Sequence, residues 1–146
     1  MRVTLTLRGD YAVRAMLSLA QHELESARNG GLAAAPLSAG RIATRMRIPG
    51  RFVAHVLADL GRAGLVVGST GRNGGYRLGQ PAARIDLLRI IDATEPEAAT
   101  RRCVLRGIPC DPTGRCAVHD TINGATAVLR AELARTSLAD LVAAGG

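Results

Sequence analysis

Two short helical periods separated by Ile48-Pro49-Gly50, and followed at once by a Gly-rich extended stretch, constrain this chain more than any other feature. Ser38 is placed to cap a helix over Ala39–Met46 that turns Ile42, Ala43 and Met46 inward. After the tight turn, a helix over Arg51–Ala63 would bury Val53, Val56, Leu57 and Leu60, with Gly64 as its left-handed stop. The period then changes. Leu65-Val66-Val67-Gly68-Ser69 reads as a strand, Thr70-Gly71-Arg72-Asn73-Gly74-Gly75 as a turn, and Tyr76-Arg77-Leu78 as the returning strand. Two helices across a short turn and then a glycine-rich hairpin predict a winged helix-turn-helix.

The flanking segments are read the same way. Thr6 is a cap for a helix over Leu7–Glu23, with Val13, Met16, Leu17, Ala20 and Leu24 as its inner stripe. Ser26 to Pro36 has no periodicity and reads as a surface loop. Pro81 ends the winged unit. Asp86 caps a helix reaching Ala93, with Ile90 and Ile91 inside. Glu95 to Cys116 has no period and forms a long loop, a kind of segment that is usually functional or disordered. A last long helix spans Val118–Arg135 with Ile122, Ala125, Leu129 and Leu133 on one face, and Ser137–Ala143 follows it. With two Tyr, one Phe and no Trp, the core has to be aliphatic and helical. The expected fold is mainly α with a small β-hairpin wing. A DNA-binding domain occupies residues 1–80, and a cysteine-loop and dimerisation region residues 81–146.

Nineteen basic residues against twelve acidic ones give a net charge of +7, and the excess is carried by arginine. The arginine fork matches phosphate, so a polyanionic partner is expected. On the second helix of the unit, Arg51, Ala54, His55, Ala58 and Arg62 point outward, and Phe52 sits at the edge of that face. Arg51 and His55 can donate to bases or phosphates, and Arg72 and Arg77 bring the wing's charge to a backbone or minor groove. The predicted DNA surface is therefore Arg51, Phe52, His55, Arg72 and Arg77. No Gly-x-Ser-x-Gly, phosphate-binding loop or Cys-x-x-Cys pair is present, which speaks against an enzyme. No apolar run approaches the roughly 20 residues that span a bilayer, and the first residues do not read as a secretory signal. A cytoplasmic protein is expected. There, Cys103, Cys110 and Cys116 stay reduced and serve as ligands or reactive thiols rather than as a disulfide framework. Arg101, Arg102, Arg106 and Arg115 raise the local positive potential, which favours thiolates.

Tyr11-Ala12-Val13-Arg14-Ala15-Met16-Leu17, Ile42-Ala43, Leu60-Gly61-Arg62-Ala63-Gly64-Leu65-Val66, Gly71-Arg72-Asn73-Gly74-Gly75-Tyr76-Arg77-Leu78 and Ser137-Leu138-Ala139-Asp140-Leu141-Val142 resemble the IscR/NsrR family of bacterial transcription regulators. The Gly-Gly-Tyr-Arg-Leu wing is the most specific part. One departure stands in the recognition helix, where Ala54 replaces the glutamate common in the cluster-biogenesis regulators. The resemblance implies a homodimer with the long final helix as interface, binding a palindromic DNA operator as a repressor. It also implies an iron–sulfur cluster (2Fe–2S or 4Fe–4S) that senses nitric oxide, redox state or iron–sulfur status. Cys103, Cys110 and Cys116 match the family's cluster loop, with six and five residues in the gaps where five and five are usual. His119, three residues after Cys116, matches the histidine ligand of the cluster-biogenesis regulators. Asp10, just before Tyr11, matches the aspartate that nitric-oxide-sensing members supply from the opposite subunit. Either completes the set. A zinc site of the three cysteines and His119, a thiol switch, or sensing through a protein partner are the alternatives.

Overall fold

A computed structural model describes residues 3–31, 33–95, 103, 105, 107–109 and 116–145. Nothing in the chain competes with α1 (Leu7–Arg28) as organiser, because α1 touches nearly every other element. Thr6 caps it by accepting the Gly9 N–H through Oγ1 at 3.0 Å. The helix runs five residues beyond the predicted Glu23, because Leu24 to Arg28 contains neither glycine nor proline; Gly30, at φ 78°, then follows its end. The loop therefore begins at Asn29, not Ser26. His22 ties this loop down: its Nε2–H donates to the Ala35 carbonyl at 2.9 Å.

The buried face of α1 also differs from the predicted stripe. Tyr11, Ala12, Ala15, Met16, Leu19 and Ala20 are buried, Val13 and Leu17 lie at the margin, and Leu24 is 38% exposed. The reason is crowding. Helices approach α1 from several sides, so alanines are favoured where backbones come close, and bulky residues alone do not trace the inner arc.

α2 (Ala39–Met46) and α3 (Gly50–Arg62) form the helix-turn-helix. Ser38 caps α2 by accepting the Arg41 N–H. Arg47 ends α2 in a left-handed conformation. Ile42, Ile48, Val53, Val56, Leu57 and Leu60 enter the core beside α1. Gly64 takes φ 71° after α3, as its sequence position predicted.

β1 (Val66–Ser69) and β2 (Gly75–Leu78) pair antiparallel, Val66 opposite Leu78 and Ser69 opposite Gly75. An isolated bridge joins Leu37 to Tyr76, with N···O distances of 2.7 and 3.0 Å. It anchors the wing to the segment that enters α2. Gly75 is required here: at φ 150°, a Cβ would stand 2.5 Å from the Leu37 carbonyl oxygen.

A 3-10 turn (Ala82–Arg84) leads to α4 (Leu87–Thr94), which Asp86 caps and which buries Ile90 and Ile91. α5 (His119–Arg135) stands apart. None of its residues is buried, and it packs chiefly on α4, where Arg130 and Asp92 form a two-pronged ion pair at 2.7 and 3.0 Å. α6 (Leu138–Ala143) returns to the body: the Leu138 side chain is fully buried and its N–H donates to the Ile85 carbonyl at 2.7 Å. The architecture is mainly helical with one two-stranded wing, the predicted fold class. Among the described residues no helix is long and apolar enough to cross a membrane.

Candidate nucleic-acid interface and cysteine pair

α3 presents Arg51, Ala54, His55, Ala58 and Arg62 to solvent, because Val53, Val56, Leu57 and Leu60 occupy the inner face. The outward positions differ in availability. Asp59 is 7% exposed and pairs with both Arg62 and Arg8, so Arg62 is partly neutralised. Arg51 and His55 carry no ion pair among the described residues. Phe52 is half-buried. Its ring lies 5.6 Å from that of Tyr11, and the Arg51 guanidinium carbon stands 4.9 Å from its centroid. Phe52 thus shows more of itself to Tyr11 and Arg51 than to solvent.

Arg72 at the wing tip and Arg77 on β2 are exposed. They line an open groove of about 1010 Å³ together with Ser38, Arg41, Val67 and Ser69. Arg41 is a further cation of this groove that the helical period alone does not single out: it lies three residues after the capping Ser38 and is exposed, next to the buried Ile42. The Arg41 and Arg72 guanidinium groups have no partner among the described residues, whereas Arg45 beside them is held by Glu25 at 3.0 Å. That pairing keeps the Glu25 carboxyl below its usual range. Arg77 feels the charge of Glu23, whose carboxylate accepts the Leu78 N–H at 3.3 Å and whose pKa is pushed up by burial.

The cysteine loop springs from a defined stem. Glu95, just after α4, accepts the Thr6 N–H at 3.3 Å, which sets the start of the loop against the amino end of α1. Asp10 lies one turn further along that helix. Cys103 is buried and Cys116 half-buried, and their Sγ atoms are 3.5 Å apart. A tight turn shapes the first thiol's backbone: Cys103 N–H donates to Ile108 O at 2.7 Å, and Gly107 N–H to Cys103 O at 2.8 Å. Cys110 lies outside the described residues, as do Arg101, Arg102, Arg106 and Arg115.

The two candidate fourth ligands are engaged elsewhere. Asp10 holds Arg14 with both oxygens, at 2.8 and 3.1 Å. His119 donates its backbone N–H to the Cys116 carbonyl at 3.0 Å, while its Nε2 accepts from Asn123 Nδ2 at 2.8 Å. Among the described residues, no three His, Cys, Asp or Glu side chains converge as a metal site.

Comparison with known proteins agrees with this architecture. An HTH-type transcriptional regulator IscR of Vibrio vulnificus is 33% identical over 115 residues, which are 79% of this chain and 62% of that protein. Among solved structures, T. potens IscR superposes with a TM-score of 0.75 at 24% identity, covering 99% of this chain and 89% of its own. CymR, the global cysteine regulator of B. subtilis, gives a TM-score of 0.73 at 22% identity, covering 97% of this chain and 98% of its own. The family and these relatives are described as regulators, not enzymes. Residues 5–144 match the Rrf2 family, described as iron-dependent transcriptional regulators, and the chain belongs to that family of helix-turn-helix transcription regulators.

Proposed function

We propose that this chain is a cytoplasmic homodimeric repressor whose grip on a palindromic operator is set by an iron–sulfur cluster on Cys103, Cys110 and Cys116. The observation that carries the reading is the approach of Cys103 and Cys116 to 3.5 Å, with the loop stem tied to α1 through Glu95. The donor set fits such a group: two thiols meet at one point, one of them buried, the chain between them holds a third cysteine, and two arginines within that stretch and two just before it favour thiolates. When bound, the cluster supplies a centre sensitive to nitric oxide, oxidation or iron supply. Asp10 or His119 completes the set, and each would have to exchange or share the partner it now holds.

In this reading residues 1–80 carry the DNA contacts and residues 81–146 the sensing loop and the dimer helix. Arg51, His55, Arg72 and Arg77 meet DNA, with Phe52 at the edge of the surface, and Arg41 adds charge to the groove they share. α5 is the dimer interface: Val128 is 66% exposed and Leu129 39%. A two-fold axis along it would set two α3 helices on half-sites. Anaerobic purification followed by absorbance and by iron and sulfide counts, before and after nitric oxide, tests the reading. Colourless protein that takes up no iron on reconstitution would sink it.

A second reading keeps the fold and replaces the cluster by thiols. Two sulfurs 3.5 Å apart need only a small movement to reach the 2.05 Å of a disulfide, and the similar CymR is described as a cysteine regulator. Loss of two titratable thiols on mild oxidation, with DNA affinity changing in step and no iron bound, would favour it.

A further inference from the structure

We propose that Phe52, backed by Tyr11, is a positioning residue for DNA readout: its ring face holds the Arg51 guanidinium in a set plane at the first turn of α3, where it reads a guanine edge in the major groove. The proposal rests on the reading of α3 as the recognition helix. Four side chains form a column. Arg14 stands 6.0 Å from the Tyr11 centroid, Tyr11 is 5.6 Å from Phe52 with the rings at 39°, and Arg51 is 4.9 Å from Phe52.

The two ends of the column differ. Arg14 is fixed from inside the protein, by Asp10 at 2.8 Å and by the Met46 carbonyl at 3.4 Å. Arg51 is exposed and has no counter-ion among the described residues, and the first turn of α3 contains no acid. A cation there meets the positive end of the helix dipole, and the negative ring face compensates it. An arginine free in solvent samples many rotamers. One resting on a ring presents its fork in a restricted plane, as a bidentate contact to guanine O6 and N7 requires.

The sequence gives this column unusual weight. The chain has one Phe and two Tyr, and two of these three aromatics meet here at the edge of a largely aliphatic core. Packing alone would be served by leucine at position 52. A leucine has no π face for Arg51.

The test is selection from a duplex library with 20 randomised base pairs, using the anaerobically purified or the metal-free protein, whichever binds DNA more tightly. The wild type should enrich guanine at one position of each half-site. Arg51→Ala should lose that preference, and a bidentate contact makes the loss roughly five- to 150-fold. Phe52→Leu should lower it about three- to fivefold and leave the other positions unchanged. Phe52→Tyr should restore it. The salt dependence of Phe52→Leu binding should match the wild type, because no charge is removed. Arg51→Lys, on the surface and not a folding risk, keeps a donor for guanine without the planar fork and should weaken the preference while keeping the salt slope. The positioning role is overturned if Phe52→Leu keeps the wild-type guanine preference or loses all positions equally, and guanine reading by Arg51 is overturned if Arg51→Ala keeps it. If the wild type itself enriches no sequence, the regulator reading fails and the proposal with it.

Discussion

At the scale of single residues, Asp59 and Arg72 illustrate opposite uses of charge. Asp59 is the one carboxylate in the buried class among the described residues, and it joins the start of α1 to the end of α3 through Arg8 and Arg62. Both arginines are more than half exposed and can rehydrate when released, so the cost of losing the carboxylate falls mainly on its hydrogen bonds. Asp59→Asn should therefore lower stability by about 1–3 kcal/mol, read as a shift of the denaturant midpoint at constant m. Arg72 has no partner among the described residues. Arg72→Ala should leave stability within about 0.5 kcal/mol, weaken binding to every duplex alike, and reduce the slope of log K against log salt by about 0.9. An unchanged slope would remove Arg72 from the phosphate contacts.

Between elements, the weak and strong joints are distinct. Glu23 on α1 holds β2 through the Leu78 N–H, but burial raises its pKa. A raised folded value means the charged form is the less favoured one. The stabilising effect of this group is complete below the unfolded pKa and fades as pH rises through the folded one. Glu23→Gln keeps an acceptor without the charge, so its Tm should exceed that of the wild type at neutral pH, with the gap closing as the pH falls through the carboxylate range; a gap independent of pH would remove the charge of Glu23 as its cause. α5 behaves differently. Its apolar face is exposed at Val128 and Leu129, so if α5 is the proposed dimer interface, Leu129→Asp should leave protomer folding nearly intact yet move the sedimenting species toward monomer. Sedimentation at micromolar concentration checks this, and a variant that sediments as the wild type does would rule out α5 as the interface.

For the whole molecule, a short route joins the proposed sensing loop to the proposed DNA face. The loop stem rests on the amino end of α1, α1 packs against α2 and α3, and α4 carries both the loop and α5. In the proposed reading, a group bound by the loop's cysteines can therefore alter the setting of the winged unit or the spacing across α5. The two fourth-ligand candidates lead to separable outcomes. Asp10→Ala also frees Arg14, so it should change both the cluster spectrum and DNA affinity if Asp10 is the ligand. His119→Ala should change the spectrum alone of the pair if the histidine is. Absorbance and circular dichroism of the anaerobic variants decide between them, and an unchanged spectrum in both would exclude each as ligand.

The local chemistry of this chain was legible in its sequence. Ser38, Asp86 and Gly64 act where their residue types predicted, and the helical period of Val53, Val56, Leu57 and Leu60 identified the inner face of α3 without any structure. These features depend on neighbours within one or two turns. What reached across the chain was not legible. The inner arc of α1 runs through Ala12 and Ala15 because other helices crowd it, and no hydrophobic pattern assigns alanine that place. Arg41 became a candidate only when the bridge between Leu37 and Tyr76 drew the wing against α2. The sequence puts Phe52 at the edge of the outer face, and only the fold sets Tyr11, 41 residues earlier in the chain, against its ring. Caps, turns and periods are settled by short-range sterics and hydrogen bonding, which the sequence states directly. Which arginine stays unpaired, which ring supports it and which thiols meet are settled by long-range packing, and only the folded chain decides those.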